Sequence, residues 1–259
     1  MTHQNLVSCL REIGPAAIAV SGGIDSLTLA CVAMQENDAS VVFHAVSPAV
    51  PEVATRRVQQ FAKERNWQLQ IIDAGEFSDQ QYRENPINRC FYCKSNLYGE
   101  IARLTEFTIL SGTNMDDLKD FRPGLKAAEN HKVRHPFVEA GINKQGIRKL
   151  ASKLALKQIA ELPASPCLSS RVSTGLRIDP EELHLIEKVE SSVSQLLANT
   201  DIRCRRTING YRIEIEPRAL SCLKEHEIDA ISAAARKEID ASQRFLGIAP
   251  YVRGSAFKK

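Results

Sequence analysis

Ser21-Gly22-Gly23-Ile24-Asp25-Ser26 joins an apolar run, Ala16 to Val20, to a segment, Ile24 to Gln35, whose apolar residues recur at spacings of three and four. Strand, glycine-rich loop and helix in succession leave unpaired backbone N–H groups at the helix start, where the helix dipole also attracts an anion. The stretch therefore reads as a phosphate site. Gly22 and Gly23 permit close backbone approach, and Ser21 and Ser26 carry hydroxyl donors. Asp25 would repel bare phosphate unless it serves Mg²⁺, directly or through water. The loop lacks the GK[ST] ending of a Walker loop, so it places no lysine to follow a γ-phosphate, and kinase or GTPase chemistry is disfavoured. The plain alternative is an ordinary strand-to-helix turn, for which Gly and Ser are common residues.

Outward from this loop the same alternation continues. Val41 to Val46, Leu69 to Asp73 and Thr108 to Ser111 read as further strands, with Glu52 to Asn66 and Lys94 to Leu104 as crossover helices. This predicts an α/β fold built on a doubly wound parallel sheet. The Pro-, Ser- and Gly-rich stretch from Pro163 to Pro180 breaks the pattern and marks a junction, so residues 1–175 form the first expected domain and residues 176–259 a smaller α+β domain. In the second, a helix from Pro180 to Leu197 precedes strands Ile202 to Ile208 and Tyr211 to Glu216. Asn209-Gly210 is the predicted hairpin turn, and Ala219 to Ile239 a single helix.

A chain of 259 residues, 43% hydrophobic, exceeds the usual domain of roughly 100 to 200 residues. Its net charge of +3, from 34 basic and 31 acidic side chains, does not mark a nucleic-acid or membrane-surface protein. No signal-like N-terminus and no apolar segment of roughly 18 residues is present, so a cytoplasmic protein without a membrane partner is expected. Seven cysteines are an odd number in a chain that needs no staples, which argues against a disulfide framework. In a reducing compartment these thiols become candidates for metal binding or catalysis.

Cys90 and Cys93 form a CxxC pair immediately before the predicted helix from Lys94, whose N-terminus favours thiolates. Cys167 stands far downstream in Pro166-Cys167-Leu168-Ser169-Ser170-Arg171, and Cys9, Cys31, Cys204 and Cys222 stand singly. Three thiolates suit an iron–sulfur cluster with one open iron, whereas a structural zinc site normally takes four ligands. Two buried thiols at a helix start are the alternative for the pair. Arg203 and Arg205 flank Cys204 on a predicted strand and project from one face, with Arg206 on the other. Paired guanidinium groups suit a phosphate monoester, and a solvated basic strand face is the competing reading.

The loop Ser21 to Ser26 resembles the SGGxDS PP-loop of the ATP-pyrophosphatase, or adenine nucleotide alpha-hydrolase-like, superfamily. Ser111-Gly112-Thr113-Asn114-Met115-Asp116-Asp117 resembles that superfamily's second nucleotide-side loop. Together with CFYCK, GTNMDDLKDFRPG and PCLSSR, these motifs resemble the LarE-type ATP-dependent sulfur transferases, in the right order and into the C-terminal domain. The resemblance implies ATP with Mg²⁺ at Ser21, Gly22, Gly23, Asp25, Ser26, Gly112, Thr113 and Asn114. It also implies a substrate carboxylate activated as its adenylate and converted to a thiocarboxylate. The implied substrate is pyridinium-3,5-biscarboxylic acid mononucleotide, a precursor of the nickel-pincer nucleotide, with Arg203 and Arg205 on its phosphate.

Family members with three such cysteines are thought to hold a [4Fe–4S] cluster, so Cys90, Cys93 and Cys167 are the expected ligands. Members with only the last of them sacrifice its sulfur. Lys94 and Asp120 match further positions of interest: Lys94 balances adenylate charge or is solvated, and Asp120 is a cap or a magnesium-side carboxylate. A homo-oligomer is implied, and nucleic acid is not an expected partner. The competing functions are cluster-dependent tRNA thiolation, an amide-forming PP-loop ligase, and a sensor that binds nucleotide without turnover.

Overall fold

The computed structural model describes residues 2–119, 121–160, 166–197, 200–252 and 254. The chain divides into two compact units, Met1–Tyr82 with Asn88–Ser165, and Arg83–Ile87 with Pro166–Lys259. In chain order the helices of the first are α1 (Thr2–Ile13), α2 (Ile24–Glu36), α3 (Glu52–Arg65), the short α4 (Gln80–Arg83) at the boundary, α5 (Arg89–Leu104), α6 (Gly124–Asn130), α7 (Pro136–Glu139), α8 (Lys144–Lys153) and α9 (Lys157–Ala160). Its strands β1 (Ala16–Ala19), β2 (Val41–Ala45), β3 (Leu69–Ile72) and β4 (Thr108–Ser111) form one parallel sheet in the order β3-β2-β1-β4.

The burial of β1 explains the layering. Ala16 and Ile18 join a core with Leu6 and Leu10 of α1, Leu27 of α2, Val58 of α3 and Ile147 of α8. Ala17 joins the opposite core, with Leu97, Tyr98 and Ile101 of α5 and Ala127 and Ala128 of α6. Alternate residues of a strand face opposite sides, so an all-apolar β1 requires helices on both faces. This is the expected α/β doubly wound sheet. The order reverses at β1, which pairs with β2 on one side and β4 on the other. Ligands of open α/β sheets bind beyond the strand ends at such a point. The loops from Ser21 and from Ser111 leave β1 and β4 there.

The second unit contains α10 (Pro180–Ser194), β5 (Ile202–Thr207), β6 (Gly210–Ile215), α11 (Pro217–Cys222), α12 (Glu225–Glu238) and β7 (Phe245–Pro250). Leu183, Ile186, Val189 and Val193 of α10 are fully buried. Three details correct the sequence reading. The hairpin turn is Ile208-Asn209, because Gly210 already pairs with Thr207. Gly210 is required there by φ +132 and by the Arg244 carbonyl, which a Cβ would strike. The expected single helix breaks at Leu223, which is extended, and α12 restarts where Lys224 N–H donates to Glu227 Oε2 at 2.8 Å. Finally β7, not predicted, pairs parallel with β6.

Arg83–Ile87 belongs to the second unit through Asn85. This fully buried residue has φ +54, and its Nδ2 donates to the carbonyls of Ser173 and Leu176 at 2.9 Å and of Val172 at 3.4 Å. Asn85→Ala would strand those carbonyls and place a Cβ in the left-handed region without a polar side chain. We expect a loss of about 3 kcal/mol, measured as a lower urea midpoint. A change within the scatter of surface substitutions would refute this role.

Among the described residues, no helix is long and apolar enough to cross a membrane.

Candidate functional site

The first loop is shaped by its surroundings. Gly22 has φ +81, and a Cβ there would lie 2.8 Å from the Ala54 carbonyl oxygen of α3. Arg57 Nη1 donates to the Gly22 carbonyl at 2.7 Å. One residue upstream of the loop, the Val20 carbonyl accepts from His44 Nδ1 at 2.8 Å. That carbonyl can only accept, so the hydrogen sits on Nδ1, and Nε2 takes the Thr55 hydroxyl at 2.9 Å. Burial pushes the His44 pKa down, against the pull of the Val20 hydrogen bond, which keeps the ring neutral. The first turn of α3 thus forms the back of the loop.

Inside the loop, Ser26 Oγ accepts from Ser21 N–H at 3.1 Å, donates to the Gly23 carbonyl at 3.2 Å and lies 3.3 Å from Ser21 Oγ. Gly23, at the N-cap of α2, is extended and carries no side chain to cap the helix start. Asp25, in the first turn of α2, receives both hydrogen bonds of an ion pair from Lys144 Nζ, each 2.7 Å long. Burial raises the Asp25 pKa, and Lys144 opposes that rise.

The second loop touches the first. A Cβ on Gly112 would lie 2.8 Å from Ser26 N, 2.9 Å from Asp25 C and 3.0 Å from Ser26 Cα. Thr113 Oγ1 is 3.0 Å from Ser111 Oγ, which in turn lies 2.8 Å from His135 Nδ1. Asn114 is buried and stabilises its own loop: its N–H and Nδ2 both donate to Asp117 Oδ2, and its Oδ1 accepts from Asp116 N–H. Asp117 also pairs with Arg122 at 2.6 Å. Asp120 lies outside the described residues.

The CxxC pair sits differently from the sequence reading: α5 starts at Arg89, so Cys90 lies in its first turn and Cys93 just after it, rather than both before the helix. Both are half-buried, and neither is in a disulfide. Lys94 follows them, its Nζ 5.9 Å from the Tyr98 ring centroid, and a Cβ on Gly124 of α6 would meet its Cγ at 3.0 Å. The start of α6 therefore lies beside Lys94.

In the second unit, Cys167 is free and exposed, and it precedes a 3-10 turn, Leu168–Arg171. Arg171 is buried and grips this segment. Its Nη1 donates to the carbonyls of Pro166 at 2.6 Å and Cys167 at 3.3 Å, while Nε and Nη2 make a two-pronged pair with Glu190 of α10, each contact 2.9 Å. Glu190 also accepts the N–H of Cys204 at 2.8 Å, tying the segment to β5. Arg205 donates to the Ser170 carbonyl and pairs with Glu214 of β6 at 3.0 Å. Arg203 lies 5.7 Å from the Tyr251 ring centroid; burial, then the charge of Arg171, lowers its pKa.

Arg203 and Arg205 are therefore buried rather than a solvated strand face, while Arg206 pairs with Glu182 at 2.8 Å. The sequence reading had not singled out Arg171, Glu190, Lys144, Arg57 or His44. Cys204 between the arginines is fully buried, and desolvation holds its thiol well above the ordinary range.

A doubly wound parallel sheet with paired loops at its switch point has the architecture of the nucleotide alpha-hydrolase-like class. No protein-family model matches the chain. It is 34% identical over 219 residues to an uncharacterized protein of Synechocystis sp., covering 83% of this chain and 81% of that protein. It is 30% identical over 214 residues, 81% of each, to an uncharacterized protein of Methanocaldococcus jannaschii. The chain belongs to the family of these two proteins. It is also a distant homologue, 27% identical over 218 residues, of a Lactiplantibacillus plantarum protein named pyridinium-3,5-bisthiocarboxylic acid mononucleotide synthase; that alignment covers 81% of this chain and 78% of the other.

Proposed function

We propose that this chain is an ATP-dependent sulfur transferase that adenylates a substrate carboxylate and converts it to a thiocarboxylate. The observation that carries this reading is the exposed Cys167, whose segment is gripped by the buried Arg171 and Arg205 beside Arg203. A thiol that serves only packing has no need of exposure, and buried guanidinium groups are suited to bind a phosphate monoester. The distant homologue's name supports a pyridinium mononucleotide as the substrate class.

In the first half-reaction a carboxylate oxygen attacks the α-phosphorus of ATP, and the bond to the β-phosphate oxygen breaks to release pyrophosphate. The loops at Ser21 and Ser111 hold and orient the nucleotide through backbone N–H groups and the Thr113 hydroxyl. Asp25 would hold Mg²⁺, which supplies charge neutralisation to the polyphosphate. In the second half-reaction a sulfur nucleophile attacks the acyl carbon, and AMP leaves with the carboxylate oxygen.

The half-buried thiols of Cys90 and Cys93 near the start of α5 and the exposed Cys167 have the donor chemistry of iron–sulfur ligands, unlike the buried Cys31 and Cys204, although among the described residues no three His, Cys, Asp or Glu side chains are grouped to hold a metal. A [4Fe–4S] cluster on these three ligands would supply a transferable sulfide at its open iron. Lys94 beside the pair balances negative charge on the adenylate.

The test is to supply ATP, Mg²⁺, sulfide and pyridinium-3,5-biscarboxylic acid mononucleotide under anaerobic conditions. Expected are AMP, pyrophosphate and a product in which sulfur replaces a carboxyl oxygen. Arg203→Ala should raise the KM for this phosphorylated substrate about tenfold and leave ATP binding unchanged. Thiolation of tRNA, with no reaction of the mononucleotide, would refute the substrate class. ATP binding without pyrophosphate release would refute the activity.

A further inference from the structure

The peptide that joins Gly22 to Gly23 is held from behind. Arg57, in the second turn of α3, donates from Nη1 to the Gly22 carbonyl at 2.7 Å, across 35 residues of chain. A trans peptide is planar, so its C=O and N–H point in opposite directions, and no peptide bond among the described residues is cis. A carbonyl turned toward α3 therefore turns the Gly23 N–H away from it. That N–H stands at the N-cap of α2 and donates to no backbone or side-chain acceptor among the described residues. Both residues of this peptide are glycines, whose torsions are the least restricted, so the peptide is free to turn over unless its carbonyl is held.

The charge on Arg57 is a second, independent feature. Three other arginines withdrawn from water take carboxylates: Arg171 pairs with Glu190 at 2.9 Å, Arg205 with Glu214 at 3.0 Å and Arg206 with Glu182 at 2.8 Å. Arg57 is half-buried too, yet among the described residues no carboxylate lies within ion-pair distance of it, and its one hydrogen bond is to Gly22. Burial lowers its pKa and no neighbouring charge opposes that, although a guanidinium stays protonated all the same. A brace for the loop alone could be a neutral donor. A cation without a counter-ion, partly withdrawn from water behind the loop, also favours an anion in front of it.

We propose that Arg57 is a positioning residue of the phosphate site: it fixes the Gly22–Gly23 peptide with the Gly23 N–H toward the polyphosphate, and the bound anion balances its charge. This rests on the nucleotide reading above and adds α3 to the elements that make the site. Arg57 touches the peptide and acts on the nucleotide through it.

The test titrates the full chain calorimetrically with metal-free ATP and with inorganic pyrophosphate, and follows thermal unfolding without ligand. Arg57→Met is expected to weaken both ligands about tenfold or more, because both bring an anion to the loop. Its unfolding midpoint should stay within about 2 °C of the wild type, since the lost hydrogen bond is offset by removal of a half-buried charge that lacks a partner. Arg57→Lys keeps a charge and a donor, and should bind both ligands at least about threefold more tightly than Arg57→Met. Arg57→Gln keeps a donor without the charge and should bind more weakly than Arg57→Lys. Wild-type affinity for both ligands in Arg57→Met would overturn the proposal. A lowered midpoint with equal losses of affinity in all three variants would also overturn it, because Arg57 would then only brace the fold. A wild-type chain that binds neither ATP nor pyrophosphate would instead overturn the nucleotide reading, and this inference with it.

Discussion

Cys167→Ala is expected to abolish sulfur transfer while pyrophosphate release continues. The two half-reactions draw on different parts of the chain: the loops at Ser21 and Ser111 belong to the first compact unit, and Cys167 to the second. Replacing an exposed thiol removes little packing, so the folded state should survive. The carbonyls that Arg171 grips are backbone groups of Pro166 and Cys167, which alanine retains. Cys204→Ala is the control. That thiol is fully buried and held in its protonated form, so it is unavailable as a nucleophile or ligand, and transfer should persist. If Cys204→Ala abolished transfer and Cys167→Ala did not, the assignment would be reversed.

The same variants separate two sources of sulfur. With a cluster on three thiolates, the anaerobic protein contains iron and sulfide, and Cys90→Ala, Cys93→Ala and Cys167→Ala lose them to similar extents. With sacrificial transfer, Cys167 alone is essential: its Cβ–Sγ bond breaks, the residue becomes dehydroalanine, and the used chain is lighter by one H₂S. Iron-free protein with that mass change would refute the cluster while leaving sulfur transfer intact.

What could be read directly from the residues was what is local. Ala16 to Val20, the Gly-rich turn and the helix after it are contiguous, so periodicity and turn chemistry suffice to locate the loop. The Lys144 ion pair was not legible, because its partner is 119 residues away and a lysine opening a helix ordinarily points to solvent. Arg171 stood inside a quoted motif, but nothing in the motif tells that its charge is buried against Glu190, a residue of a later helix. The strand β7 escaped for a related reason. It is a half-exposed apolar run with Gly247 at φ +91, and it becomes a strand only by lying parallel to β6. The start of α5 was read more than a turn too late, at Lys94, because the helix already begins at the fully buried Arg89 and takes in the CxxC pair.

The glycines of the two loops provide the other large expected effect. Gly22, Gly23 and Gly112 are equivalent in sequence terms, yet their surroundings differ. Gly112→Ala would press a methyl group against backbone atoms of Asp25 and Ser26 at 2.8 to 3.0 Å, and backbone cannot turn aside as a flexible side chain can. The loops must part, and the expected loss is about 2 to 3 kcal/mol of stability, with nucleotide binding reduced in proportion to the displaced loop. Gly22→Ala adds left-handed strain at φ +81 to a contact with the Ala54 carbonyl and should behave likewise. Gly23 is different: its backbone is extended at φ −82 and ψ 162, and a Cβ would meet only Ser21 Oγ at 3.6 Å. Gly23→Ala should therefore leave the melting temperature nearly unchanged. If phosphate approaches the uncapped start of α2, its methyl group stands in that path, and ATP affinity should fall about tenfold or more. Calorimetric titration with ATP beside thermal unfolding separates the two classes. A Gly23→Ala protein that binds ATP like the wild type would remove the phosphate from this loop, whereas a Gly112→Ala protein of unchanged stability would show that the loops are not in contact.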